Sequence, residues 1–129
     1  MKNFFRYWFP WLLCLGAIYY LSSIPDYRTQ PSGFGETMSR KWAHLVEYAV
    51  LAYLTWRVAG YRGNRTSRTL AILSVVFCFV YAASDEWHQS FVPGRYAKVR
   101  DVFLDGLGAM MMTSVLYRKV IRVDVRSAP

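Results

Sequence analysis

The sequence has little cysteine and no metal-binding pattern built on it. Its two cysteines, Cys14 and Cys78, lie inside apolar stretches, so we expect packed thiols rather than a disulfide. No cysteine or second nearby histidine completes a zinc pattern around His88. Internal repeats, low-complexity segments and nucleic-acid-binding motifs are also lacking. These absences favour a single domain over residues 1–129 with no nucleic-acid partner.

Acidic residues are scarce, with eight Asp and Glu against 16 Lys and Arg. Apolar residues make up 54% of the chain and aromatic residues 18%, which is rich for a soluble protein of this length. The charges collect between four apolar blocks, each a little short of the ~20 residues that an untilted helix needs to cross a bilayer. The sequence therefore predicts an all-α bundle of four short transmembrane helices, at about residues 7–24, 42–59, 69–90 and 101–118. No Ala-x-Ala cleavage site follows the first block, so we expect it to be retained rather than removed as a signal peptide.

Basic residues are divided unequally among the segments that join these helices. Ten lie in the N-terminal stub, the middle loop and the tail: Lys2, Arg6, Arg57, Arg62, Arg65, Arg68, Arg118, Lys119, Arg122 and Arg126. Six lie in the other two loops, where six acidic residues balance them. The positive-inside rule then places both termini in the cytoplasm and the first and third loops outside.

Proline and glycine set the expected helix ends. The first loop, residues 25–41, carries several of both and should be irregular. The third helix should continue to Gln89 before Pro93 and Gly94 end it. The tail, residues 123–129, should be frayed.

Polar side chains recur on one face of the second helix. Lys41, His44, Glu47 and Tyr48 are spaced by three and four residues. An ionisable group within a membrane span costs on the order of 3 kcal/mol and must face the protein interior or a wet cavity. We expect Glu47 to be buried near mid-span and either hydrogen-bonded to another helix or protonated. The alternative is that these groups only bond neighbouring helices together.

The third and fourth helices carry further polar groups near the same membrane face. Asp85, His88 and Gln89 share a face of the third helix, and a carboxylate three residues from a histidine is a weak candidate for binding a divalent ion. On the fourth helix Asp101 suits the first turn, where a carboxylate complements the helix dipole. Asp105 lies one turn deeper, and the small residues that follow it let a neighbouring helix approach closely.

The predicted topology brings eleven polar residues to the extracytoplasmic face. They are Ser22, Ser23, Lys41, His44, Asp85, Glu86, His88, Gln89, Arg95, Asp101 and Asp105. Such convergence favours a shared binding or catalytic pocket, with a structural ion-pair network as the alternative.

At these residues the sequence resembles the VanZ-like family of small bacterial membrane proteins. The matching pieces are Ser22-Ser23-Ile24-Pro25, Lys41-Trp42-Ala43-His44 with Tyr48, Asp85-Glu86-Trp87-His88-Gln89, Phe91-Val92-Pro93-Gly94-Arg95, and Asp101 with Asp105 and Gly108. The resemblance implies a four-helix membrane fold in the bacterial cell envelope. The family's namesake is linked to resistance against the lipoglycopeptide teicoplanin, but no known reaction comes with the family.

Three functions are compatible with these residues. In a protein that binds a membrane lipid or lipid-linked amphiphile, Arg95 would hold an anionic head group with help from Lys41, while Tyr48, Gln89, the serines and the acids contact the rest. In a membrane enzyme, His44 or Glu86 would be the general base, and Ser22 or Ser23 would be less favoured nucleophiles. A metal or substrate would be positioned by Asp85, His88, Asp101 or Asp105. In an accessory subunit, the polar cluster would only satisfy itself. The sequence identifies no cofactor.

Overall fold

A computed structural model describes residues 2–27, 33–61, 63 and 65–127, with side chains except at residues 34–37 and 124–127. Over these residues the chain forms one π-helical segment and four α-helices, and no strand. The segments are a π-helix at Phe4–Trp8, α1 at Phe9–Ser22, α2 at Phe34–Ala59, α3 at Ser67–Gln89 and α4 at Val99–Ser127. The prediction of an all-α chain with four helices is confirmed.

Two helices are longer than the apolar blocks that predicted them. Helix α2 begins at Phe34 rather than near residue 42, so the expectation of an irregular segment up to residue 41 is wrong. Helix α4 continues to Ser127, so most of the expected frayed tail is helical, while residues 128–129 lie outside the described residues. Both extensions lack proline, and their charged residues are good helix formers. Hydropathy marks the apolar part of a helix and not its full length.

The prediction that α3 reaches Gln89 is confirmed, and the turn after it packs against the end of α1. Gly94 has a φ of +75°, which favours glycine. A Cβ atom at this position would also collide with the Asp26 carbonyl oxygen. The Asp26 backbone N–H donates to the Pro93 carbonyl oxygen at 3.1 Å. The first and third loops are therefore joined backbone to backbone.

Helices α2, α3 and α4 pack together, and α1 lies against α2 and α3. A Cβ atom at Gly108 of α4 would collide with the carbonyl oxygen of Leu45 in α2, and one at Gly106 would collide with the Phe79 ring of α3. This confirms the prediction that small residues let a neighbouring helix approach closely. The approach brings the first half of α2 beside the first half of α4.

The contacts show that successive helices run in opposite directions. Trp11, near the start of α1, donates from its indole nitrogen to the Thr55 hydroxyl near the end of α2 at 3.1 Å. Ser22, at the end of α1, donates to Asp85 near the end of α3. The end of α1, the start of α2, the end of α3 and the start of α4 therefore meet at one end of the bundle.

The core is small and the outer surface is apolar. Buried apolar residues cluster around Tyr48, Leu51 and Cys78, and both cysteines are free. Large apolar side chains remain exposed on every helix, including Leu13 at 61%, Val80 at 64% and Phe103 at 65%. One helix in the described part of the chain, α3, is long and apolar enough to cross a membrane.

Candidate functional site

A cavity of about 600 Å³ opens where the ends of α1 and α3 meet the starts of α2 and α4. All four helices and the loop between α3 and α4 contribute to its lining. Seven of the eleven residues predicted to converge line this cavity, namely Ser22, Lys41, His44, Asp85, Gln89, Arg95 and Asp101. Ser23, Glu86, His88 and Asp105 lie beside or beneath it.

Asp85 is buried and holds the end of α1 to α3. Its carboxylate accepts a hydrogen bond from the Ser22 hydroxyl at 2.6 Å and from the Gln89 amide nitrogen at 2.9 Å. An ionised carboxylate only accepts hydrogen bonds, so the single Ser22 proton points at Asp85. The Tyr19 carbonyl oxygen, 3.0 Å from the same hydroxyl, is the weaker competitor because the carboxylate bond is shorter and charge-assisted.

His44 and Asp105 form a pair beneath the cavity. The His44 Nδ1 atom lies 3.4 Å from the Asp105 Oδ1 atom, which is an ion-pair distance. The alignment falls short of hydrogen-bond geometry, so both atoms are without a hydrogen-bond partner among the described residues. Asp105 is 1% exposed, and its carboxylate is therefore reached through His44 rather than from the cavity.

Tyr48 continues the α2 face that carries Lys41 and His44, one turn below His44. It is fully buried, and its hydroxyl has no hydrogen-bond partner in the described part of the chain. The sequence predicts Tyr48 as a ligand-binding residue, but the structure places it in the core below the cavity lining. The deepest level of the site therefore consists of Tyr48 and Asp105.

Glu47 differs from its expected surroundings. It is half-buried and lines the cavity, and it makes no hydrogen bond to another described residue. The first alternative, a hydrogen bond to a neighbouring helix, is therefore not formed among the described residues, and the second, a protonated carboxyl group, stays a prediction. Its place in the cavity lining fits the requirement that an ionisable group in a span face the protein interior or a cavity.

Glu86 lies outside the cavity lining and fixes the start of α4. It is buried, and its carboxylate accepts a hydrogen bond from the Lys98 backbone N–H at 2.7 Å. This anchors the loop one residue before α4 begins. The expectation that Glu86 lines the pocket is wrong, because its carboxylate is directed at the backbone of the next segment.

His88 and Ser23 form a separate pair beside the cavity. The Ser23 hydroxyl donates to the Tyr19 carbonyl oxygen at 2.7 Å and lies 2.9 Å from His88 Nε2. The hydroxyl has one proton, so while that proton is directed at Tyr19 the second bond can only be donated by His88 in the tautomer protonated at Nε2. In that tautomer His88 does not activate Ser23 as a base would. The His88 ring also stacks on Tyr19, with the ring centroids 4.5 Å apart.

The candidate metal ligands Asp85 and His88 have different partners. Asp85 is bonded to Ser22 and Gln89, whereas His88 is bonded to Ser23. Across the residues that the structure describes, no group of three or more His, Cys, Asp or Glu side chains is placed to hold a metal ion. The geometry therefore adds nothing to the weak sequence pattern for a metal.

Arg95 is half-buried and engages the last turn of α1. One guanidinium nitrogen, Nη2, is 3.3 Å from the Ser22 carbonyl oxygen and 3.4 Å from that of Leu21. A cation at this place satisfies carbonyls left open at the end of a helix and complements its dipole. The Arg95 Nε atom has no partner among the described residues, and Arg95 also lines the cavity. Arg95 is therefore less available to a ligand than an arginine on an exposed bend at the membrane surface would be.

The sequence analysis missed several cations at the cavity, because it used them only to predict topology. Arg40, Lys98 and Arg100 line the cavity with Lys41 and Arg95. Arg40 also pairs with Asp26 at 3.2 Å, which ties the start of α2 to the first loop. The signal was available for Arg40, because it lies four residues before His44 on the same stretch of helix.

The family comparison agrees with the residues that the sequence analysis singled out. A family model described as VanZ/LLP1 matches residues 3–122, nearly the whole chain. No curated protein and no solved structure matches the chain. The match includes every cavity residue and confirms the resemblance first seen between Ser22 and Gly108. The chain belongs to the VanZ/LLP1 family.

Proposed function

We propose that this protein is a multi-pass protein of the bacterial cytoplasmic membrane that binds the anionic head group of a lipid-linked amphiphile at its extracytoplasmic face. The ligand is a lipid-linked envelope precursor or a lipoglycopeptide. The observation that carries the proposal is the cavity of about 600 Å³, built from all four helices and edged by basic side chains. Teicoplanin resistance, the phenotype of the family's namesake, follows if a lipoglycopeptide or its lipid-linked target occupies this cavity.

The membrane placement is supported by the outer surface and by charge. A continuous apolar exterior, exposed on all four helices, is what a bilayer requires and what a soluble monomer avoids. Helices α2 and α4 are less apolar than α3 partly because they carry Glu47, which lines the cavity, and Asp105, which pairs with His44 beneath it. The ten basic residues of the stub, middle loop and tail support a cytoplasmic location for the opposite end.

Anion recognition is supported by Lys41 and Arg95. Lys41 is half-buried at the cavity lining, so its attraction for a bound phosphate or carboxylate is screened less by water than at an open surface. Arg95 also lines the cavity, while its Nη2 atom holds the end of α1. Hydrogen bonds to charged groups contribute about 1.5–3 kcal/mol each. The loss of one cation should therefore lower the affinity for the anion by a measurable factor.

The direct test is to purify the protein in mild detergent and identify any retained amphiphile by mass spectrometry. A short-chain anionic phospholipid is then titrated into the wild type and into Lys41→Met. We expect the affinity of Lys41→Met to fall about tenfold, which corresponds to about 1.4 kcal/mol. Lys119→Met is the matched control, since Lys119 is exposed near the other end of α4. Equal affinities for Lys41→Met and the wild type would refute the proposal.

The His44–Asp105 pair favours a second candidate, a membrane enzyme acting on the same head group. A carboxylate behind a histidine orients the ring and stabilises its protonated form, and His44 also lines the cavity. With the Ser22 and Ser23 hydroxyls already engaged as donors, the nucleophile would be water activated by His44. Loss of turnover by His44→Gln with ligand binding intact would identify an enzyme. Loss of folding in alanine variants of the cluster, with no bound ligand in any variant, would identify an accessory subunit.

A further inference from the structure

Charge changes sign with depth in the cavity. On α2, Lys41 comes first, and Glu47 follows six residues deeper, about 9 Å along the axis at 1.5 Å per residue. On α3, Asp85 lies within the helix, whereas Arg95 lies in the loop beyond its end. The acids Glu47 and Asp85 therefore lie farther in, whereas the lining residues at the mouth are mainly basic: Arg40, Lys41, Arg95, Lys98 and Arg100, with the acids Asp26 and Asp101.

The acidic residues differ in how far the protein itself satisfies them. Asp85 receives two hydrogen bonds, from Ser22 and Gln89. Asp101 lies in the first turn of α4, where the helix dipole stabilises a carboxylate. Glu47 has neither benefit, since in the described part of the chain it has no hydrogen bond and no ion-pair contact. A half-buried carboxylate in this position requires water, a proton or a cation from outside.

We infer that the head group bound here is zwitterionic, with a phosphate near the mouth and a primary ammonium beside Glu47. The inference rests on the proposed function and narrows its ligand class. A purely anionic head group would be repelled from the deeper half by Glu47 and Asp85, and a neutral one would leave the charge of Glu47 uncompensated. An ammonium group brings a positive charge and three donors, which suits a site with surplus acceptors.

The test compares two lipids that share chains and phosphate but differ in the amine. Short-chain phosphatidylethanolamine and short-chain phosphatidylglycerol are titrated calorimetrically into the detergent-solubilised wild type. We expect phosphatidylethanolamine to bind about tenfold more tightly, equivalent to about 1.4 kcal/mol. In Glu47→Gln the affinity for phosphatidylethanolamine should fall about tenfold, whereas that for phosphatidylglycerol should rise because a repelling charge is gone.

Opposite shifts of the two affinities are the signature that a merely structural role of Glu47 cannot produce. Asp124→Asn is the charge-matched control, because Asp124 lies in the last turn of α4, far from Asp101 in the first, and it should change neither affinity. Should Glu47→Gln fail to fold, Glu47→Met replaces it and should shift the two affinities in the same opposite directions. Equal wild-type affinities for the two lipids, or parallel losses in the variant, overturn the inference.

A third ligand separates this inference from the proposed function. Free glycerophosphoethanolamine has the same phosphodiester and amine but no lipid chains. Weaker binding of the free compound than of phosphatidylethanolamine supports both proposals. Equal binding of the two would overturn a lipid-linked ligand while leaving the amine preference standing. Binding of both lipids with equal affinity, weakened by Lys41→Met, would overturn the zwitterionic ligand while leaving the proposed function standing.

Discussion

Replacing Gly108 by alanine should separate α2 from α4. The added Cβ atom would collide with the Leu45 carbonyl oxygen. The backbone fixes the positions of both atoms, so neither can rotate away. Overpacking of this kind costs about 1–3 kcal/mol of stability. Gly108 lies about one helix turn from Asp105, so the collision would also disturb the His44–Asp105 pair. For a chain of this size the midpoint of thermal unfolding should fall by roughly 4–12 °C, with weaker binding of any cavity ligand.

Two further substitutions make the measurement specific, with unfolding followed by circular dichroism in detergent. Gly16→Ala in α1 has no atom within 4 Å of the new Cβ, so the higher helix propensity of alanine should leave stability unchanged or slightly raised. Gly106→Ala collides with the Phe79 ring, so Phe79→Ala should rescue it. Leu45→Ala should not rescue Gly108→Ala, since the obstacle is a carbonyl. If Gly108→Ala melted at the wild-type temperature, the close approach of α2 and α4 would be refuted.

Two other predictions concern topology and Arg95. Single cysteines at Gly33 and Arg65, in a background lacking the native thiols, should react with an impermeant maleimide from outside at Gly33 only, because the positive-inside rule predicts a cytoplasmic middle loop. External labelling at Arg65 would contradict the predicted topology. Arg95→Ala should lower both thermal stability and anion affinity, because Arg95 caps α1 and lines the cavity. Arg95→Lys should recover part of the affinity, because lysine keeps the charge, but less of the stability, because lysine lacks the planar guanidinium group. Full stability in Arg95→Ala would contradict the capping role.

Local patterns predicted the parts of the site that depend on a single helix. The spacing of Lys41 and His44 placed them on one face of α2, and both line the cavity. The small residue at Gly108 predicted a close helix approach, which the Leu45 carbonyl confirms. Proline and glycine at Pro93 and Gly94 marked the end of α3, because their backbone preferences act locally.

Contacts between distant segments could not be predicted from the sequence. Arg95 bonds carbonyl groups 73 and 74 residues earlier, and backbone acceptors leave no side-chain pattern to recognise. Glu86 was expected to reach the same end of the bundle as the other site residues, yet its partner is the Lys98 backbone N–H. Glu47 was expected to bond a neighbouring helix or to be protonated, because only the cost of its charge was known and not that its side chain lines a cavity.

The attachment of α1 has a consequence for the order in which the protein is made. Its bonds reach segments synthesised later: Trp11 to Thr55, the Leu15 carbonyl to the Tyr81 hydroxyl, and Ser22 to Asp85. The first helix to leave the ribosome therefore has no partner until α2 has been made, and its last turn has none until α3 and the following loop have been made. The cavity needs that last turn as a wall, so it is completed among the final steps of assembly. In a chain truncated before Arg95, the carbonyl groups that Arg95 contacts at the end of α1 would lack this cap.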